Sequence, residues 1–543
     1  MTRIVTVEQM KAMEAAAQAA GLSVEEMMQR AGEAIAAEVR KRWESLAGVR
    51  VVVLVGSGHN GGDGLIAADA LAMAGAQVAA YVVLPRAETD KLVARLAEKG
   101  LLVARADQDQ RSRVLKNLLS SGQIVIDAIL GTGARLPLPG PVADVLSTVQ
   151  GVLEERRDRP FIVAVDCPSG ADCDTGALAP ETLAADVTIS LAAPKIGLLN
   201  FPAVSKIGEL VVADIGVPRS PDPEPADELV WAGSHLVRGM VPLRPRTGHK
   251  GTFGSVLIVA GSINYPGAAE LAARAAYRIG AGLVTIAAPA PLQVALAGAL
   301  PEATWLLLPH EMGVTSEGAA EVLGRKRESY EAVVFGPGLG VEDTTAAFVQ
   351  RFFALSSATA SGGFGFVQRP ESAAVAATPM PACVLDADGL RLLSRFADWP
   401  ARVPAGTVLT PHPGEMAALT GLSVEEIQAD RIAVARRFAK LWKCVVVLKG
   451  AYTVVASGTR ACVIPFASTA LAHAGTGDVL AGAIGGLIAQ RVESFSAATL
   501  GAFAHGWAAE LAALDVGSER GVLASEVANH LPRALEDLAR RPS

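Results

Sequence analysis

Ala474-Gly475-Thr476-Gly477-Asp478 runs directly into the apolar stretch Val479-Leu480-Ala481-Gly482-Ala483-Ile484. Glycines at a helix start let backbone N–H groups close on an anion, and the helix dipole favours negative charge there. A carboxylate at that spot would repel a phosphate unless it takes a proton from a hydroxyl that attacks, or receives, a phosphoryl group. The stretch therefore predicts a helix over 478–490 whose start is an anion hole with its own base, Asp478. Read alone, Asp478 also fits an acidic helix cap; the rest of the chain decides between the two.

The chain has 543 residues, too many for one core, so two or more domains are expected. It is 51% hydrophobic and only 5% aromatic, with a mean hydropathy of +0.35. That excess of alanine and valine suits buried parallel strands under Ala-rich helices. The net charge is −7 and the lysines and arginines are dispersed, which argues against a nucleic-acid groove or an anionic membrane surface. Cys167, Cys173, Cys383, Cys444 and Cys462 lack metal-ligand spacing and read as reduced core thiols of a cytoplasmic protein. The first residues, Met1-Thr2-Arg3-Ile4-Val5-Thr6-Val7-Glu8, contain no signal-peptide apolar region. Residues 279–300 are uncharged and long enough to span a bilayer, but Pro289 and Pro291 break them. A strand, a turn and a helix are expected there, and no membrane span.

Residues 217–227 read Val-Pro-Arg-Ser-Pro-Asp-Pro-Glu-Pro-Ala-Asp, a composition that packs neither as a helix nor as a central strand. This extended linker, taken as 218–230, separates an expected first domain (1–217) from a second (231–543). In the first, Ser23-Val24-Glu25-Glu26 is a capping-box pattern ahead of Met27, Met28, Ala31, Ile35, Val39 and Trp43 at helical spacing. Strands are then expected over 50–55, 77–84, 123–129, 161–165, 187–191 and 210–215, alternating with helices. In the second domain strands are expected over 255–260, 283–287, 304–308, 332–335, 382–385, 407–409 and 445–448, and helices over 267–279, 424–440 and 478–490. Both domains thus read as doubly wound α/β. Residues 356–380 have no periodicity and read as a surface insertion of low complexity.

In the first domain the strand 50–55 ends in Gly56-Ser57-Gly58-His59-Asn60-Gly61-Gly62-Asp63-Gly64, the layout of a phosphate-binding turn. It is not the common dinucleotide fingerprint, because no acidic residue ends the next strand. Two further strands end in Asp127-Ala128-Ile129-Leu130-Gly131-Thr132-Gly133 and in Asp166-Cys167-Pro168-Ser169-Gly170. Three strand ends thus present Asn60, Asp127, Asp166 and Ser169 on the edge where open sheets place ligands. Asn60, Asp127 and Ser169 offer hard oxygens suited to potassium or magnesium, and Asp166 remains as a candidate acid/base. Asn-Gly-Gly-Asp-Gly, Asp-Ala-Ile-Leu-Gly-Thr-Gly and Asp-x-Pro-Ser-Gly, in this order, resemble the NAD(P)HX epimerase domain, also called the YjeF N-terminal domain. The resemblance covers essentially the whole first half. It implies that hydrated NAD(P)H binds at Asn60, Gly61, Gly62, Asp63 and Gly64 and along Gly131, Thr132, Gly133, Ala134, Arg135, Leu136 and Pro137. It also implies potassium at Asn60, Asp127 and Ser169, and a catalytic or substrate-binding Asp166.

In the second domain five more loops sit beside strand ends: Thr247-Gly248-His249-Lys250-Gly251-Thr252-Phe253-Gly254, Gly261-Ser262-Ile263-Asn264-Tyr265-Pro266-Gly267-Ala268, Phe335-Gly336-Pro337-Gly338-Leu339-Gly340, Thr410-Pro411-His412-Pro413-Gly414-Glu415 and Lys449-Gly450-Ala451-Tyr452-Thr453. Singly, Gly-Pro-Gly-Leu-Gly is a tight turn, His412 a backbone-tied histidine and Lys449 a solvated lysine. Lys449 reads as a cation positioned for nucleotide phosphates. Together with Leu-Asp-Ala-Asp and Ala-Gly-Thr-Gly-Asp, in this order, the loops resemble the ribokinase-like fold. Within it they resemble the ADP/ATP-dependent NAD(P)HX dehydratases (the YjeF C-terminal domain) over about residues 231–530. The resemblance implies substrate contacts at Ala268, Gly338, Gly340, His412 and Asp478, and nucleotide contacts at Lys449, Gly450, Ala451, Tyr452, Thr453, Gly475, Thr476 and Gly477. It departs mildly at Ala260-Gly261-Ser262 and at Asp388-Gly389, without removing a proposed catalytic group.

The two resemblances imply a bifunctional enzyme that repairs hydrated nicotinamide nucleotides. The second domain would phosphorylate the S hydroxyl of NADHX or NADPHX from ADP, with Asp478 as base and magnesium present, and loss of phosphate would restore NAD(P)H. The first would interconvert R and S forms. A homo-oligomer without nucleic-acid or membrane partners is expected. Two alternatives remain at this point: a small-molecule kinase on the same fold, which would release a stable phosphorylated product, and a first half acting only as a nucleotide-sensing or RNA-associated binding module.

Overall fold

A computed structural model of the chain describes residues 2–87, 89–217, 229–356 and 380–540. The expected linker, apart from residues 217, 229 and 230, and the expected insertion, apart from residues 356 and 380, lie outside the described residues. The chain divides into two compact units, Thr2–Pro223 and Glu224–Ser543. Among the described residues no helix is long and apolar enough to cross a membrane, and residues 279–300 contribute the strand Leu283–Pro289 and the helix Ala290–Leu296.

The first unit begins with helices α1 (Val7–Ala19) and α2 (Val24–Arg40). Ser23 and Glu26 close the expected capping box on α2. Then follow β1 (Arg50–Val55), α3 (His59–Met73), β2 (Gln77–Val82), β3 (Leu102–Arg105), β4 (Ile124–Ala128), α4 (Gly140–Glu155), β5 (Phe161–Val165), β6 (Val187–Leu191) and β7 (Glu209–Ala213). The strands lie in the order β3-β2-β1-β4-β5-β6-β7, all parallel. Alternate residues of β1 feed opposite faces: Val51, Val53 and Val55 join one apolar cluster with α2 and α3, and Val52 and Leu54 join another with α4. The strand order reverses between β1 and β4, the crevice where such sheets bind ligands.

The second unit runs through β8 (Leu229–Trp231), β9 (Ser255–Val259), α5 (Pro266–Arg278), β10 (Leu283–Pro289), β11 (Thr304–Leu308), β12 (Ala332–Phe335), β13 (Ala382–Leu385), β14 (Val408–Leu409), α6 (Pro413–Thr420), α7 (Arg431–Trp442), β15 (Val445–Leu448), β16 (Val454–Ser457), β17 (Arg460–Val463), α8 (Thr476–Ala489) and α9 (Ser494–Val516). Its strands lie in the order β8-β17-β16-β15-β14-β13-β12-β9-β10-β11. From β15 to β11 neighbours are parallel, whereas β16 pairs antiparallel with both β15 and β17. Here too the order reverses, between β9 and β12, and the Gly261 N–H donates to the Pro337 carbonyl across that gap at 2.8 Å.

Three expectations are corrected. The helix expected over 424–440 is two, Val424–Ala429 and Arg431–Trp442, because Asp430 leaves the helical region and its carboxylate caps the Ala433 N–H instead. The strand list lacked β3, β8, β16 and β17, and the two-residue strands Thr2–Arg3, His310–Glu311 and Val314–Thr315. Finally, α8 starts at Thr476, so Asp478 lies inside its first turn and Gly475, with φ +90°, is the cap.

Candidate active sites

In the first unit the carboxyl ends of β1, β4, β5 and β6 enclose a cavity of about 540 Å³, closed on one side by α1 and α2. Its wall includes Asn60, Asp63, Gly131, Asp166, Lys195 and Glu14. Thr132 and Gly133 also line it, while the loop continues past the wall through Ala134, Arg135, Leu136 and Pro137, with Leu136 packing on the core below. Gly62 and Gly64 serve packing: a Cβ on Gly62 would lie 2.5 Å from Met28 Sδ, and one on Gly64 2.5 Å from Ala128 Cβ. Gly61 admits the turn itself, since its Cβ would lie 2.0 Å from the Gly56 carbonyl oxygen.

Asp127 is wholly buried at the end of β4. Its carboxylate accepts the Ser169 N–H at 2.8 Å, the Ser169 hydroxyl at 2.6 Å and the Ile129 N–H at 3.3 Å. Burial pushes its carboxyl above the ordinary range, and the two Ser169 bonds and the Ile129 N–H pull it back. Asn60, two residues past the glycine cap of α3, has its Nδ2 buried without a partner, and its Oδ1 faces Gly131. Asn60, Asp127 and Ser169 are thus placed on adjoining strand ends.

Asp166 follows β5 in the left-handed region, φ +65°, which turns its carboxylate back onto β6. One oxygen, Oδ1, accepts the Leu191 N–H at 3.0 Å and an ion pair from Lys195. Lys195 is buried and also donates to the Leu191 carbonyl at 2.9 Å and to Ser190 Oγ at 3.3 Å. Sequence reasoning missed this lysine; the signal was a single charge in the apolar run Leu191-Ala192-Ala193-Pro194-Lys195-Ile196, just past a strand. It missed Arg86 too, whose guanidinium donates to the Gly56 and Gly58 carbonyls at 2.7 and 3.1 Å and pins the glycine turn. Burial, then the negative charges of Asp166 and Glu14, hold the Asp63 carboxyl well above its usual range.

In the second unit the turn Gly475–Gly477 sits over a buried ion pair. Lys449 Nζ lies 2.8 Å from Asp386 Oδ1 and 3.6 Å from Glu415 Oε2. Burial works against this ammonium, but Asp386 and Glu415 outweigh it and raise its pKa. Lys449 therefore faces carboxylates rather than standing free. A Cβ on Gly477 would lie 3.4 Å from Lys449 Nζ and 3.8 Å from Asp386 Oδ2. That Oδ2 is buried without a partner, while Oδ1 also accepts the Thr410 hydroxyl at 2.7 Å. Burial first, then the charge of Asp386, push the Asp478 carboxyl up to about 8; Lys449 opposes the shift.

His412 caps α6: its Nδ1 accepts the N–H groups of Gly414 at 3.0 Å and Glu415 at 3.2 Å. With Nδ1 accepting, Nε2 carries the proton, 3.3 Å from Glu415 Oε1. Ala268 and Gly338 meet at the β9–β12 gap, where a Cβ on Gly338 would lie 2.8 Å from that of Ala268. The Gly340 N–H donates to Asp388 Oδ2 at 3.0 Å. Thr476 is tied by its hydroxyl to the Leu471 and His473 carbonyls at 2.8 and 2.9 Å, and His505, buried and held near pKa 4 by that burial, bonds its backbone. Gly450, Ala451, Tyr452 and Thr453 form the turn after β15, with Tyr452 buried. Sequence reasoning quoted Asp386 and Glu415 only within motifs. Their role emerges from the pairing of distant strand ends, which spacing does not encode.

A glycine turn at a helix start, a paired ammonium and a carboxyl pushed up to about 8 together suit the activation of a hydroxyl toward phosphoryl transfer. A family model described as NAD(P)H-hydrate dehydratase matches residues 256–533, and one described as YjeF-related protein N-terminus matches residues 24–197. The bifunctional NAD(P)H-hydrate repair enzyme Nnr of Moorella thermoacetica is 34% identical over 94% of this chain and 92% of its own. Its namesake from Coxiella burnetii is 32% identical over 98% of this chain and 99% of its own. A crystal structure of the ADP/ATP-dependent NAD(P)H-hydrate dehydratase from Bacillus subtilis, co-crystallised with ATP/Mg2+, is 29% identical and covers 57% of this chain and 98% of its own, with a TM-score of 0.46.

Proposed function

This chain belongs to the bifunctional NAD(P)H-hydrate repair enzymes, and from that membership we propose how its two sites divide the work. The second unit dehydrates the S hydrate at the expense of ADP. Asp478, in its ionised form, takes the proton of the ring hydroxyl as that oxygen attacks the β-phosphorus of ADP, and AMP leaves. The amides of Gly475–Gly477 and the Lys449 ammonium receive the charge that spreads over the transferred group. Elimination of phosphate from the ring then yields NAD(P)H. Ala268, Gly338, Gly340 and His412 line the substrate side, and Lys449–Thr453 the nucleotide side. Magnesium, when bound, neutralises nucleotide phosphates; Asp386, with its unpartnered Oδ2, is the oxygen donor on hand to hold it. The observation that carries this reading is the Asp478 carboxyl one residue past a glycine turn that sits over the Lys449–Asp386 ion pair.

The first unit interconverts R and S hydrates in the β1–β4 cavity. Asp166 is its acid/base: Lys195 and the Leu191 N–H hold Oδ1, leaving Oδ2 for the substrate. Asn60, Asp127 and Ser169 supply a carboxylate, a hydroxyl and an amide oxygen, a donor set that fits potassium, whose charge would balance the buried Asp127. The five cysteines are buried and none is in a disulfide, which accords with a reducing, cytoplasmic setting. Purified protein given hydrated NADH with ADP should regain reduced-nicotinamide absorbance and release inorganic phosphate in equal amounts. A stable phosphorylated product without that absorbance would mark a kinase instead.

A further inference from the structure

Arg431 opens α7 and is 1% exposed, the largest side chain so fully buried in the described protein. Its Nη2 donates to the Leu448 carbonyl at 3.0 Å and the Lys449 carbonyl at 3.2 Å, both neutral acceptors. Its Nε is buried with no partner, and no carboxylate pairs with it among the described residues. Burial lowers its pKa only to about 10, so the guanidinium stays charged at neutral pH. An unpaired buried cation is costly and calls for an anion nearby. The guanidinium lies directly beneath Gly450: a Cβ there would be 2.7 Å from Nη1 and 3.0 Å from Nη2, and the backbone turns with φ +140°.

We propose that Arg431 is the buried counter-charge for the phosphates of a nucleoside diphosphate seated on the turn Gly450–Thr453. It acts through that turn as a positioning residue, holding the Leu448 and Lys449 carbonyls inward and adding a fixed positive charge behind the turn. This rests on the placement of the nucleotide on Lys449–Thr453 above. Because the contribution is electrostatic, it grows with the charge of the ligand, whereas a purely structural prop would affect every nucleotide alike.

The test is calorimetric binding of ADP, AMP and adenosine to the full-length protein, with Arg431→Gln, which keeps donors for the two carbonyls but removes the charge, and Arg431→Lys, which keeps the charge. Arg431→Gln should weaken ADP by roughly tenfold or more, AMP by less and adenosine hardly at all, while Arg431→Lys retains most of the preference for ADP. Equal weakening of all three ligands, or unchanged ADP binding, overturns the proposal. So does loss of folded protein in both variants, which would make Arg431 a support of the fold alone. Ala451→Trp, which places bulk on the turn, separates the two readings: if it leaves ADP binding intact, the nucleotide site itself lies elsewhere. If it blocks ADP while Arg431→Gln does not, only the role of Arg431 falls.

Discussion

Asp478 must be protonated often enough to sit among Asp386, Asp388 and Glu415, and ionised often enough to take a proton. With its pKa near 8 in the free protein, the kcat/KM for dehydration should climb through about pH 8 and level off above it. Since the charge of Asp386 helps raise that value, Asp386→Asn should move the rising limb to lower pH even as it costs turnover. A limb that stays in place would show that Asp478 is not the titrating group. The same shift has a stability sign. The native state keeps a proton on Asp478 that the unfolded chain releases near 3.8, so this group's contribution falls as pH rises from about 4 through 8. Asp478→Asn should lower dehydration by about a hundred- to ten-thousand-fold and leave ADP binding nearly unchanged, measured by turnover and calorimetry.

At the scale of elements, the glycine turns behave as geometric devices. Gly61→Val would drive a side chain into the Gly56 carbonyl, so epimerisation should collapse while dehydration of pure S hydrate by the same sample persists, as isomer-resolved chromatography would show. Exchange from potassium into choline buffer should likewise slow epimerisation and spare dehydration if Asp127 depends on a bound cation. The central strands were legible because Val-rich runs ending in glycine or aspartate stand out between helices, as in Arg50–Val55 and Ala332–Phe335. Strands at or toward the sheet margins were not: Leu102–Arg105 is half-exposed and carries no buried run, and Leu229–Trp231 is only three residues long. The split at Asp430 hid because its flanks share helical periodicity. In the candidate sites, the positions of Asp166, Asp478 and the turns at strand ends and helix starts were readable from motifs. Lys195, Arg86 and Arg431 were not, since each acts on a residue far away in sequence or through a backbone carbonyl.

For the whole molecule, two candidate sites on different sheets predict separable defects. Asp166→Ala should consume only the S form of an R/S mixture quickly and leave R to spontaneous epimerisation, whereas the parent clears both. If the variant clears both at the parent rate, Asp166 is not the epimerase acid/base. Thr2–Pro223 makes up the first unit and Glu224–Ser543 the bulk of the second. On the ribosome the first has every strand of its sheet in hand early, and domains emerging at roughly 5–20 residues per second fold as units. The second is different. Leu229–Trp231, near its start, pairs in parallel with Arg460–Val463, near its end. That early strand must wait through most of the unit's synthesis with its edge unsatisfied, so the second half of the chain is where nascent-chain chaperones and aggregation will compete.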